Sequence, residues 1–216
     1  ATGTILWADL TSESVNEISV PDAVYKNLLS GVGLGAWVLS RSIPVDADPL
    51  GPDNVIGFTT GMLCSSGSVV TGRWMVVTKS PLTGGWGDAN CGGNFAPALR
   101  RCGYDALFVS GAAARPVYIM VEHGGGRIVP ADDLWGRDAV ETEQLLVERH
   151  GAKPAPAVAT IGASGEQLSL ISGISVQELG EGGSSREQRA RVMEACLGFV
   201  CGFSAVFIVL GASAFA

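Results

Sequence analysis

The residue pattern predicts an α+β domain. Strand-type segments outnumber helical ones and come mostly in pairs around short turns, the arrangement of hairpins rather than of a doubly wound parallel sheet. Glycine supplies the turns: 30 of the 216 residues are Gly, about twice the usual ~7%, with no Gly-X-Y period. A chain of this length with 47% hydrophobic residues can bury the core of one domain.

The elements follow in order. Thr4 to Leu10 and Val15 to Val20 alternate apolar and polar residues around Thr11-Ser12-Glu13-Ser14, which predicts the first hairpin. Pro21-Asp22 opens a helix whose spacing runs from Ala23 to Leu29 and stops at Ser30-Gly31; Leu34 to Leu39 continues it or forms a second one. Asp48-Pro49 and Gly51-Pro52-Asp53 read as loops, and Asn54 to Thr59 and Val69 to Val77 as strands. Lys79 to Asn90 reads as a long turn-rich loop, the kind of segment that carries function. A helix over Phe95 to Arg101 follows, then strands over Ala106 to Ser110 and Val117 to Glu122, and a turn at Gly124-Gly125-Gly126 into Ile128-Val129. In the clearest helix Asp132 or Asp133 is the cap, Leu134, Ala139, Leu145 and Leu146 form the apolar face, and Gly151 closes the helix after His150. Ala157 to Ile161 and Leu168 to Val176 complete the strands.

The two ends differ in character. Ala1 to Asp9 lacks a basic stretch followed by a long apolar run and is read as the start of a cytosolic domain, not as a secretory signal. The last 22 residues, Ala195 to Ala216, carry no charge, enough at 1.5 Å per residue to cross a ~30 Å hydrocarbon core. Arg186, Arg189 and Arg191 precede them and would hold that side in the cytoplasm. The expectation is a domain over residues 1–177, a linker and basic flank over 178–194, and a transmembrane helix over 195–216 that anchors a cytoplasmic domain to the inner membrane. The competing reading of the tail is a buried helix of a larger soluble fold.

Charge and residue usage narrow the chemistry. A net charge of −7 argues against binding that rests on neutralising a phosphate backbone, so nucleic acid is excluded. Five cysteines without a CxxC pair read as reduced thiols. Two histidines, His123 beside a glycine turn and His150 at a helix end, read as surface residues and offer neither a triad nor a metal site. Gly31-Val32-Gly33-Leu34-Gly35 follows a helix instead of a strand, which counts against a dinucleotide fingerprint, and Gly162-Ala163-Ser164-Gly165 is one residue short of a nucleophile elbow and reads as a turn. The informative stretch is Thr71 to Phe95: Arg73 offers a planar fork for phosphate, and Asn90 to Gly93 leave backbone N–H groups open to an anion. The plainer reading of the same residues is a tight turn and an arginine paired with a carboxylate.

An ordered series of motifs runs along the chain: Leu6-Trp7-Ala8-Asp9-Leu10-Thr11, Asp48 to Asn54, Val70 to Gly84, Ala89 to Phe95, Gly103 to Ile119, Leu134-Trp135-Gly136 with Glu141-Thr142-Glu143, and Ile161 to Leu168. Over residues 4 to about 176 this series resembles the amino-terminal domain of the aldehyde:ferredoxin oxidoreductase family. It implies a duplicated α+β domain that forms the base for a tungsten (or molybdenum) bis-pterin, in enzymes that oxidise aldehydes to carboxylic acids and pass two electrons through a [4Fe-4S] cluster to ferredoxin. Carried over residue by residue, Arg73 would contact a pterin phosphate, and Asn90, Cys91 and Gly92 would hold the phosphates and their Mg²⁺. Cys91 stands where family members often have a small residue such as Ser. No catalytic residue and no protein ligand to the metal is implied within this chain, and the [4Fe-4S] ligands belong to later domains.

Two departures go with the resemblance. The family's second glycine-rich pterin segment has no good counterpart, Gly182-Gly183-Ser184-Ser185-Arg186 being a poor match. Cys196 to Ala214 resembles the first membrane segments of the cytochrome c biogenesis, CcdA-like, transmembrane family. The functional expectation is therefore a truncated pterin-binding domain of an aldehyde oxidoreductase, inactive alone; the alternative is a membrane-tethered, non-enzymatic binding or assembly module that kept only the fold.

Overall fold

Side-chain alternation in the first segment does what it predicts. In the computed structural model, which describes residues 1–68, 71–151 and 155–176 and the backbone of 206–210, β1 (Thr4–Asp9) and β2 (Ser14–Ser19) form an antiparallel hairpin. Helices α1 (Asp22–Leu28) and α2 (Val32–Ser42) follow, then β3 (Val55–Thr60), β4 (Trp74–Lys79), β5 (Trp86–Cys91), α3 (Phe95–Arg101) and β6 (Ala106–Ser110). The six strands make one sheet in the order β2-β1-β6-β3-β4-β5, in which β1 and β6 run parallel and the other neighbours antiparallel.

The second part repeats this plan. β7 (Val117–Glu122) and β8 (Gly125–Pro130) form a hairpin, α4 (Ala139–His150) follows, and then come β9 (Ala157–Ile161), the short α5 (Ala163–Glu166), β10 (Ile174–Val176) and β11 (Val206–Leu210). Their sheet has the order β10-β9-β11-β7-β8, and β7 and β11 are its parallel pair. The correspondence extends to single residues. Thr60 pairs with Trp74 and Ile161 with Ile174, and one step inward the buried hydroxyls of Thr59 and Thr160 each reach the carbonyl across, Met75 and Ser175, at 3.4 Å. The duplication implied by the family resemblance is thus visible in the strand register.

Period-2 alternation then sorts the side chains into three apolar layers. Leu6, Phe58 and Leu107 meet Ile119, Val121 and Ala159 between the two sheets, with Phe95 and Leu99 of α3 among them. Ile5, Val77 and Phe108 pack outward against Val24, Leu34 and Val38 of α1 and α2. Tyr118, Met120 and Val158 pack outward against Leu146 and Val147 of α4. Helices α1, α2 and α4 cover the outer faces of the sheets while α3 packs into the layer between them, and the α+β expectation holds.

Several local expectations are corrected. The expected loop over Lys79 to Asn90 contains β5, whose Gly, Asp and Asn residues disfavour strands in isolation; pairing with β4 along six positions, from Trp74 with Cys91 to Lys79 with Trp86, supplies what propensity lacks. The helix after β8 begins later than expected: Asp138, not Asp132 or Asp133, caps α4 by accepting from the Glu141 N–H at 2.8 Å, because Leu134 and Gly136 sit in a preceding turn in which Gly136 has φ +81°. Of the strand expected over Leu168 to Val176 only Ile174–Val176 forms, since Leu168 itself takes φ +58°. Gly162 to Gly165 enters α5 instead of remaining a plain turn.

The apolar tail is the largest correction. The transmembrane helix expected over 195–216 is not found: Val206–Leu210 is a strand paired on both sides, parallel to β7 and antiparallel to β9. Among the described residues no helix is long and apolar enough to cross a membrane. A short uncharged run of Val, Phe, Ile and Leu fits a strand inside a sheet as well as it fits a helix, and strand pairing decides between them. The linker expected over 178–194 lies outside the described residues.

Candidate functional site

The antiparallel pairing of β4 with β5 sets the geometry of the site. Trp74 stands opposite Cys91, and Met75 opposite Asn90. Because side chains alternate, Trp74 and Cys91 face the core between the sheets, and Arg73, Met75 and Asn90 face the other way. Arg73 and Asn90 are both exposed, and the Arg73 guanidinium donates to Asn90 Oδ1. Of the four expected site residues the structure therefore brings Arg73, Asn90 and Gly92 to one place, while the Cys91 side chain is packed against the core on the opposite face.

Glycines shape what lies beside Arg73. A β-carbon on Gly72 would come 2.8 Å from the Gly93 carbonyl oxygen, so the two segments approach more closely than any other residue allows. Gly93 has φ +93°, and a β-carbon on Gly92 would meet nothing within 4 Å, which leaves open space over that backbone. Among the described residues no protein group accepts from the N–H of Gly92 or Gly93. The Gly92 carbonyl, in contrast, is held: the buried indole N–H of Trp74 donates to it at 3.0 Å. Trp74 is itself packed in a triangle of rings with Phe95, 4.6 Å away by ring centroids, and Phe58 at 6.1 Å. Gly61 N–H ties the Arg73 carbonyl to the end of β3 at 3.2 Å, and Ser30 Oγ and Gly31 N–H both donate to Thr60, which seats the start of α2 alongside.

Other residues singled out in the sequence have structural duties. In the glycine run before α2, a β-carbon on Gly33 would lie 1.8 Å from the Leu28 carbonyl and one on Gly35 2.7 Å from Val77, so the run is a packing device. Lys79 Nζ donates to the carbonyls of Val45 and Ala47 at 2.7 Å each and stitches down the loop before β3. Glu166 accepts from Gly136 N–H through both oxygens at 3.0 Å, which explains why the Leu-Trp-Gly and Gly-Glu motifs occur together. His123 is exposed as expected; His150 is half-buried and bonded to the Tyr118 hydroxyl at 3.0 Å, and burial with Arg127 and Arg149 nearby lowers its pKa. Burial pushes the Cys102 thiol up to about 11, which makes it an inert core group. Trp74 and Gly72 were not anticipated as site residues; the Trp directly after Arg73 in a strand reads as ordinary core.

Arg73, Asn90 and an open glycine backbone share one exposed surface, a combination of groups suited to an anion, and the motif order around them matches a known family. Residues 5–202 match the family described as aldehyde ferredoxin oxidoreductase, N-terminal domain. The chain belongs to this family. The tungsten-containing aldehyde ferredoxin oxidoreductase of Pyrococcus horikoshii is 37% identical over 164 residues, 76% of this chain and 27% of that protein. That of Thermococcus kodakarensis is 36% identical over 166 residues, 77% of this chain and 27% of that protein. A WOR-like subunit of an aliphatic sulfonate oxidoreductase from Pyrococcus furiosus is 30% identical over 178 residues. The chain thus spans about a quarter of the length of these relatives. Among solved structures, the active-site complex BamBC of benzoyl coenzyme A reductase, bound to 1,5-dienoyl-CoA, superposes with a TM-score of 0.80 at 28% identity over 97% of this chain and 31% of its own. The oxidoreductase match runs into the apolar tail as far as residue 202, and the CcdA-like resemblance of that tail finds no support.

Proposed function

We propose that the chain is the pterin-binding amino-terminal domain of a tungsten (or molybdenum) enzyme that oxidises aldehydes to carboxylic acids and delivers the electrons to ferredoxin. What supports this is the juxtaposition of Arg73 and Asn90 beside the uncovered Gly92–Gly93 backbone. The residues fit a pterin phosphate. The guanidinium supplies a charged planar fork, the Gly93 N–H a further donor, and the missing β-carbon at Gly92 the room for a phosphate to come up to the backbone. Asn90 Oδ1 is the oxygen this chain would offer to Mg²⁺, in place of its bond from Arg73. Cys91 takes part through its backbone only, since its side chain faces the core. When bound, the metal-pterin group would supply the two-electron redox chemistry; the work of this domain is to bind and orient it.

No three His, Cys, Asp or Glu side chains come together as a metal site among the described residues. Aldehyde, ferredoxin and the [4Fe-4S] cluster would be handled by the parts of a full-length protein that correspond to the rest of the relatives. The alternative of a membrane-tethered module has no membrane helix among the described residues to rest on.

The test is metal content in a full-length protein that carries this domain. Arg73→Ala removes a charge-assisted bond worth about 1.5–3 kcal/mol, and Gly92→Val fills the approach to the backbone. Both variants should lose tungsten or molybdenum while circular dichroism stays that of the parent; normal occupancy in both would reduce the loop to a turn.

A further inference from the structure

A Gly-Gly peptide is a weak foundation for a binding site. Rotating the plane between Gly92 and Gly93 exchanges the directions of its carbonyl and its N–H while changing only ψ of the first residue and φ of the second, and glycine tolerates nearly all the values involved. Something must hold the plane if the N–H is to face a ligand. The two groups of a trans peptide point in opposite directions. In this structure the Gly92 carbonyl is drawn toward the core face of the sheet by the Trp74 indole N–H at 3.0 Å. The Gly93 N–H of the same peptide therefore points away from Trp74, toward the face that carries Arg73 and Asn90.

We propose that Trp74 is a positioning residue for this site: its indole N–H locks the Gly92–Gly93 peptide so that the Gly93 N–H is presented beside Arg73. The lock is rigid because the indole is 3% exposed and packed in a cluster of three mutually touching rings with Phe58 and Phe95. It is short-range because Gly72, with no β-carbon, lets the Gly93 backbone lie directly against the strand that carries Trp74. An aromatic ring alone would fill the same space; the N–H is what selects one of two peptide orientations. The inference rests on the reading of Arg73 and Gly92–Gly93 as a phosphate site.

The experiment uses the 216-residue chain, magnesium pyrophosphate as the probe, calorimetric titration for affinity and the Gly93 amide resonance for the peptide. Three proteins are compared: the parent, Arg73→Ala, and Trp74→Phe, which keeps a ring but loses the N–H. The expected result is that Arg73→Ala and Trp74→Phe each bind at least about tenfold more weakly, and that the Gly93 amide shifts on binding in the parent but not in Trp74→Phe. Should Trp74→Phe fold poorly, benzothienylalanine at position 74 keeps the shape of indole with sulfur in place of the N–H and is expected to give the same loss. If Arg73→Ala weakens binding while the N–H-deficient protein binds and shifts like the parent, the locking role is overturned and the phosphate site stands. If the parent does not bind, or Arg73→Ala binds as well as the parent, the site reading fails and Trp74 positions nothing.

Discussion

The two halves of the molecule share a backbone and differ in what lies under the helix. On α2 the positions facing the first sheet are Leu34, Gly35, Val38 and Leu39; on α4, at the same spacing, they are Thr142, Glu143, Leu146 and Val147. Where the first helix has a glycine pressed against Val77, the second has a glutamate that is 3% exposed. No hydrogen bond or ion pair to Glu143 is found among the described residues, and burial pushes its pKa up to about 8, so it sits protonated at neutral pH. The anchoring also differs. In the first half buried Asp105 gathers the N–H groups of Thr2 and Gly3, the Tyr25 hydroxyl and the Arg100 guanidinium, and no second ion pair among the described residues is buried in this way. Register can be copied without copying the electrostatics, because strand pairing uses the backbone and helix packing uses the side chains.

The largest effect should come from that anchor. Asp105→Ala leaves Arg100 as an uncompensated buried charge and frees the amino-terminal residues, so a loss of about 3–5 kcal/mol is expected in urea unfolding. A loss under 1 kcal/mol would mean that the first half owes nothing special to its ion pair.

Next comes Glu143. In the unfolded chain the carboxyl ionises near the ordinary 4.5, and in the folded protein it stays neutral until about 8. The unfolded state therefore releases its proton first, and stability falls as pH rises from 4.5 toward 8 and then levels off, a cost on the order of 3 kcal/mol at pH 7. Glu143→Leu should raise the urea midpoint clearly at pH 8 and little at pH 4.5. An equal gain at both values would assign the effect to packing and remove the electrostatic contrast between the halves.

The smallest effect is the converse change in the first half. Gly35→Ala puts a β-carbon 2.7 Å from Val77, and although alanine favours helix by about 1 kcal/mol, overpacking of roughly 1–3 kcal/mol should leave a net loss. A more stable variant would show that α2 can move off the sheet as freely as a helix that carries a longer residue there.

The sequence by itself determined the local elements. The alternation of Thr4 to Leu10 and Val15 to Val20 specifies a hairpin, and Gly151 after His150 ends a helix, because these signals act between residues close in the chain. Motif order could be read as well: it singled out Arg73, Asn90, Cys91 and Gly92 as candidates. Tertiary structure alone decided the rest. β5 exists because β4 lies beside it, Val206–Leu210 is a strand because β7 and β9 lie on either side, and the Cys91 side chain faces the core because it pairs opposite Trp74. Trp74 could not be recognised as part of a site until its ring was seen against Gly92, 18 residues away. Each of these outcomes depends on a partner remote in the chain, and a short apolar or glycine-rich run is compatible with several structures until that partner selects one.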